Sequence, residues 1–260
     1  MLFYQIPLLL VTGGAFASAA TSSSSASSSS STKCPLAKED TKVLEYTYAL
    51  SNFVNSFYAS VPLNQSVAAA ASNSTSSSKA LANIEGIASS NNLTIKAIRE
   101  LSSQAPGFNA PNCSYTYPNV TGISSFIGYA YEFESTLSGA FIGAAGYTKS
   151  PQVAFLLARL AAEHSAHATW IGSRVNSTIF PANATSLVAA YNPDQVLNAT
   201  TNATGSLGQY LGDCVSAPRN PCGVLKIGPL EANITSSTVA GSSSTRFGSS
   251  STALSSSRRL

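Results

Sequence analysis

Four long stretches in which apolar residues recur at helical spacing limit what this chain can fold into. In the first, about residues 40–61, Val43, Leu50, Val54, Phe57 and Val61 share one face, as the i, i+3, i+4, i+7 pattern of an amphipathic helix requires. Pro62 ends the stretch, because its ring cannot continue a helix. Glu39 and Asp40 suit the positive end of the helix dipole. The second, about residues 79–104, carries Ile84, Ile87, Ile95, Ile98 and Leu101. The third runs from about Gly122 to Ala145, and Gly146 with the turn Lys149-Ser150-Pro151 separates it from the fourth, about Pro151–Val175. Pro151 fits a first-turn position, where a missing N–H costs nothing. Four such segments with polar connections predict an all-α four-helix bundle. The link between the second and third, with Pro106, Pro111, Cys113 and Pro118, is the longer one.

The stripes are not purely apolar, and their polar members point to a site. The chain has two histidines, and both lie in the fourth segment. His164 and His167 fall in register with Val153, Leu157, Leu160 and Ile171, while Glu134 lines up with Ile127, Ala130, Leu137 and Phe141. Ser51 is in step with Thr47, Val54 and Tyr58, and Asn91 and Thr94 with Ile84, Ile87, Ile98 and Leu101. Ionisable groups on a core stripe are costly unless paired or ligated. One polar group from helix one, an i, i+3 pair from helix two, one from helix three and a pair from helix four is the layout of ferritin-like di-metal bundles.

The ends set the context. Residues 2–12 form an apolar run too short to span a bilayer, followed by small residues around Ala15 to Ala19. This reads as a signal peptide over residues 1–19, with an uncleaved anchor as the alternative. Four cysteines, Cys34, Cys113, Cys214 and Cys222, suit two disulfides in an oxidising compartment. Cys214 and Cys222 are near enough in sequence to close a small loop, leaving Cys34 and Cys113 to tie the bundle's entry to its long connection. Sequons at Asn64, Asn73, Asn92, Asn112, Asn119, Asn176, Asn183, Asn198, Asn202 and Asn233 add to the picture of a secreted glycoprotein. Ser-rich segments at 20–38 and 236–260 are expected to be disordered spacers around a bundle at 39–176 and an irregular extension at 177–235. The C-terminus lacks a hydrophobic tail, so no stable membrane anchor is expected there.

Charge excludes further classes. Residues 40–175 carry seven acidic and seven basic side chains, and no basic stripe or zinc-finger spacing appears, so nucleic acid is not an expected partner. No G-x-S-x-G elbow positions a nucleophilic serine, and Gly139, Gly143 and Gly146 form no phosphate loop, because no strand precedes them. They read as small-residue positions where helices approach closely.

The chain resembles the secreted ferritin-like domain proteins of fungi, which include stress-response and late-sexual-development proteins. The resemblance rests on Val43-Leu44-Glu45-Tyr46 with Phe57-Tyr58, on Glu134 followed by Ala140-Phe141-Ile142-Gly143-Ala144-Ala145, and on His167-Ala168-Thr169-Trp170-Ile171. Ala190-Tyr191-Asn192-Pro193 and Tyr210-Leu211-Gly212-Asp213-Cys214 are similar to the family's tail. It implies a ferritin-like bundle with an irregular C-terminal extension, and six metal-ligand positions. Only Glu134 and His167 match those positions, while His164 stands where a glutamate is expected and Asn91-Asn92-Leu93-Thr94 replaces a Glu-x-x-His. A bridged two-metal centre needs several carboxylates, so the expected centre is degenerate.

Three roles follow for Glu134, His164 and His167. They form a hydrogen-bonded structural cluster with Ser51, Asn91 and Thr94, or they hold one iron, manganese or zinc ion, or the histidines lie on a partly exposed face. Glu163 either orients a histidine or pairs with Arg159 on the helix surface. The leading expectation is a non-enzymatic extracellular protein with a vestigial centre and no bound cofactor. A single-metal binder or weak oxidase is the alternative, and a spacer glycoprotein meeting cell-wall glycans or proteins is the third.

Overall fold

The computed structural model describes residues 35–61, 77–175, 178–180, 182, 188–200, 203–219, 226–227 and 230–231. The expected leader, the C-terminal tail, Cys34, Cys222 and the sequons at Asn64, Asn73, Asn176, Asn183, Asn202 and Asn233 lie outside them. The fold is an all-α bundle of four long helices: α1 (Asp40–Ser60), α2 (Ser77–Ser102), α3 (Ile123–Ala145) and α4 (Pro151–Val175). The extension adds short helices α5 (Pro193–Val196) and α6 (Gly208–Leu211). It also holds a two-residue antiparallel pairing of β1 (Lys226–Ile227) with β2 (Leu230–Glu231).

Side-chain contacts set the helix directions. Thr41 donates to the carbonyl of Pro106, and Arg99 donates to the Tyr48 hydroxyl at 2.7 Å, so α2 runs back along α1. Phe57 stacks on Phe126 while Asp40 meets Lys149, which makes α3 antiparallel to α1. Ser138 donates to the carbonyl of Ala161, so α4 is antiparallel to α3. It follows that α2 and α3 run the same way, and residues 103–122 must cross the full length of the bundle, the single crossover of ferritin-like topologies. That crossover runs beside α1: Phe108 packs edge-on to Tyr48, Tyr115 donates to the carbonyl of Ala49, and Tyr117 donates to that of Phe53.

Two features lock the ends. Asp40 is fully buried, yet its carboxylate accepts from the backbone N–H groups of Lys149 and Ser150, at 2.8 and 2.7 Å, where α4 begins. Charge-assisted bonds of this kind, at the positive ends of two helices, satisfy a buried carboxylate. Leu36 is buried, and the N–H of Ala37 donates to the Ser150 hydroxyl. Packing of the chain therefore begins inside the segment expected to be a Ser-rich spacer, because Leu36 has apolar area to bury.

The extension lies on α3. The N–H of Tyr191 donates to the carbonyl of Gly139 at 2.9 Å. A Cβ at Gly139 would run into the Tyr191 ring, and one at Gly143 into the Tyr191 carbonyl. The glycines expected to let helices approach one another thus admit the extension's backbone instead. A disulfide joins Cys113 in the crossover to Cys214 in the extension. This corrects the pairing of Cys113 with Cys34 and of Cys214 with Cys222. The link is long-range, across 101 residues, because Tyr210 is drawn to the crossover: its carbonyl accepts from Thr116 and its ring stacks on Phe53.

Candidate metal centre

Glu134 sits midway along α3 among Ala130, Phe133 and Leu137, and it is fully buried. From α4, Nδ1 of His164 lies 2.5 Å from Glu134 Oε2, and Nδ1 of His167 lies 3.2 Å from the same oxygen. A spacing of three on a helix places both rings over one partner. His164 is fully buried, and the side chain of His167 retains 13 % exposure. From α2, the Asn91 amide donates to Glu134 Oε1 at 3.1 Å. The three ionisable groups expected on core stripes are thus brought together, and the partly exposed placement of the histidine pair is excluded for His164.

Burial alone would raise the Glu134 carboxyl, but the adjacent His164 and His167 outweigh it and hold the group at about 2. Burial would likewise lower His167, yet the hydrogen bond and charge of Glu134, helped by Glu163, raise it. Opposite charges at contact distance dominate desolvation in both cases.

The residues expected to orient this cluster divide. Asn91 does so directly. Thr94 does not touch it: Thr94 and Ser90 donate to the Glu163 carboxylate, at 3.3 and 2.5 Å. Glu163 therefore turns to α2 instead of pairing with Arg159, and its effect on His167 is through charge. Two donors on a neighbouring helix offer it more than one exposed cation does. Ser51 is buried, but no hydrogen bond joins its hydroxyl to the cluster.

One residue escaped the sequence reading. Tyr58 of α1 is buried and interacts with the Glu134 carboxylate through charge and hydrogen bonding. Burial first, and then the Glu134 carboxylate, push this phenol well above its usual range. The available signal was its place on the stripe of Thr47, Ser51 and Val54. With it, every helix of the bundle supplies a polar group to one point.

The ligand atoms of Glu134, His164 and His167 lie within 4.8 Å of one another and could hold a metal ion. Around them, Nε2 of His164 and Oδ1 of Asn91 are buried polar atoms without partners. Buried polar groups are seldom left unpaired, and a cation with its remaining coordination positions would engage such atoms. The donor set fits a single ion.

Outside this core, an apolar groove of about 720 Å³ runs between α2 and α4, lined by Leu93, Ala97, Phe155 and Leu160 together with Arg159 and Glu163. It shares Glu163 with the surroundings of the cluster but none of the three ligands. Among the described residues no helix is long and apolar enough to cross a membrane.

A ferritin-like domain model matches residues 39–177 of the chain. No curated protein and no solved structure matches it.

Proposed function

We propose, for a chain that belongs to the ferritin-like domain family, that it is an extracellular glycoprotein holding one transition-metal ion instead of a bridged pair. The convergence of two imidazole Nδ1 atoms on one buried carboxylate oxygen carries this reading. Two bridged cations would need several carboxylates to offset their charge in a buried site. Here helix two presents the Asn91 amide, and Glu163 is engaged by Ser90 and Thr94. Two imidazoles and a carboxylate suit iron, manganese or zinc. An ion bound there would supply Lewis acidity. The chain's own residues orient the carboxylate through Asn91, keep water from His164 by burial, and place negative charge near His167 through Glu163.

Secretion is supported by the leader-like start, by the Cys113–Cys214 disulfide, and by the exposure of the sequon residues Asn92, Asn112, Asn119 and Asn198. The resemblance to fungal stress-response and late-sexual-development proteins supplies the setting, in which wall glycans or proteins are the partners.

The test is the metal content of the secreted full-length protein, measured by inductively coupled plasma mass spectrometry beside a His164→Ala/His167→Ala variant. The expected result is about one ion per chain in the wild type, lost in the variant. If neither protein retains iron, manganese or zinc after exposure to excess, the metal reading is wrong. A structural cluster then stands in its place, because Asn91 and the histidines already give both Glu134 oxygens a partner.

A further inference from the structure

We propose that the groove between α2 and α4 binds a fatty acid, with an unbranched acyl chain against its apolar walls and the carboxylate on Arg159. The inference does not depend on the single-metal reading, because the groove contains none of Glu134, His164 and His167.

Shape is the first support. Residues of α2 between Ser90 and Leu101 form one wall, and residues of α4 between Pro151 and Glu163 form the other. The two helices are antiparallel, so the bond from Ser90 to Glu163 marks one end of the groove, and Leu101 with Pro151 marks the other. At 1.5 Å of rise per residue the slot is about 16–18 Å long, which suits an extended chain. Its volume of about 720 Å³ falls in the range of small-molecule sites. Leu93 on one wall and Phe155 on the other are 62 % and 69 % exposed. Two large apolar side chains left in water on one groove both gain from a ligand that covers them.

Charge selects the head group. Arg159 is the one basic side chain among the lining residues, and it is exposed. The other arginines of the long helices are engaged: Arg99 donates to the Tyr48 hydroxyl and lies over its ring, and Arg174 lies over Trp170. Among the described residues, no ion pair or hydrogen bond reaches the Arg159 guanidinium. Glu163, one turn further along α4, does not neutralise it, since Ser90 and Thr94 already donate to that carboxylate. A planar guanidinium with free donors takes a carboxylate in two parallel hydrogen bonds. A cationic head would be repelled by Arg159, and an alcohol would leave most of its donors unused. A broad macromolecular partner fits less well, because Asn92 is exposed beside Leu93. On the glycoprotein reading above, a glycan at Asn92 would stand at the rim and obstruct such a surface while leaving room for a slender chain.

The experiment titrates the full-length secreted protein with sodium decanoate, below its micelle concentration, by isothermal titration calorimetry. Decanol and decyltrimethylammonium serve as neutral and cationic heads on the same chain. The titrations are repeated with Arg159→Gln and Ala97→Phe, two substitutions at exposed positions that leave the core untouched. The expected result is about one decanoate per chain, bound about 10-fold more weakly by Arg159→Gln and not at all by Ala97→Phe, whose ring fills the groove. Decanol should bind more weakly than decanoate and respond to Ala97→Phe alone. Absence of decanoate binding overturns the proposal, and so does decanoate affinity unchanged in Arg159→Gln. Tighter binding of decyltrimethylammonium than of decanoate overturns it as well. A dimer in sedimentation velocity that Ala97→Phe abolishes, without decanoate binding, would assign the groove to a second copy and reject the fatty acid. Cosedimentation with phosphatidylglycerol vesicles, without binding of free decanoate, would assign it to a membrane surface and reject it too. Metal content, measured on the same samples, reports separately on the single-metal reading and should be equal in all three proteins.

Discussion

Between α1 and α3, the rings of Phe53, Phe57, Phe126 and Phe133 meet at centroid distances of 4.8 to 5.4 Å. Between α2 and α4, the contacts are hydroxyls on a carboxylate, Ser90 and Thr94 on Glu163, beside an open apolar groove. The first seam is further sealed by the crossover and the extension, since Tyr117 and Tyr210 stack on Phe53. The two seams are held by different physics. Aromatic packing gains from area removed from water and tolerates small shifts. A polar seam gains from partner geometry and is exposed to disruption wherever a partner is lost. The centre sits between them, with a rigid apolar wall behind it and an adaptable polar layer in front.

The comparison can be broken most severely at its apolar side. Phe133→Ala removes a ring that contacts Phe53, Phe57 and Tyr210 at once. It should destabilise the fold by about 3–5 kcal/mol, read from urea unfolding. A cost near 1 kcal/mol would mean that the seam collapses around the cavity and is not the rigid wall described here.

A smaller effect should appear in the pH dependence of the metal-free protein. His167 is raised in the fold, so its contribution to stability is complete below the unfolded value of about 6.5 and is lost as pH rises through the raised one. Glu134 is depressed to about 2, so its contribution is present above the unfolded carboxylate range and lost as pH falls through that value. The metal-free melting temperature should therefore decline from pH 6 to pH 8, and the decline should vanish in His167→Ala. Metal binding, which needs neutral imidazoles, should tighten over the same interval. A rising melting temperature would contradict the charged pairing of His167 with Glu134.

The smallest effect belongs to the groove. Phe155 is 69 % exposed, and Phe155→Ser should change stability by no more than about 0.5 kcal/mol and leave metal content unchanged. A large loss would show that the groove is part of the polar seam's support.

Much of this was legible in advance, for a specific reason. Helical period assigns each residue to a face, so the four long helices and the inward placement of Glu134, His164 and His167 could be read directly from spacing. Period says nothing about reach along the helix axis. Tyr58 appeared only as a member of the Ser51 stripe, because period does not tell which carboxylate on another helix a long side chain meets. Ser51, on the same stripe, is buried but makes no hydrogen bond to the cluster. Thr94 was placed on the right helix face but on the wrong partner, since Glu163 arrives there first.

What the sequence determined by itself, then, is the all-α class, the helix bounds and the set of polar residues that face the core, since these follow from local periodicity and the cost of burying charge. Tertiary structure alone decided that Cys113 meets Cys214, that Gly139 and Gly143 make room for Tyr191, that Glu163 turns to α2, and that Tyr58 joins the cluster. Each of these depends on which surfaces from distant parts of the chain come into contact, and that is set by how the helices and the extension pack, not by any one helix's own pattern.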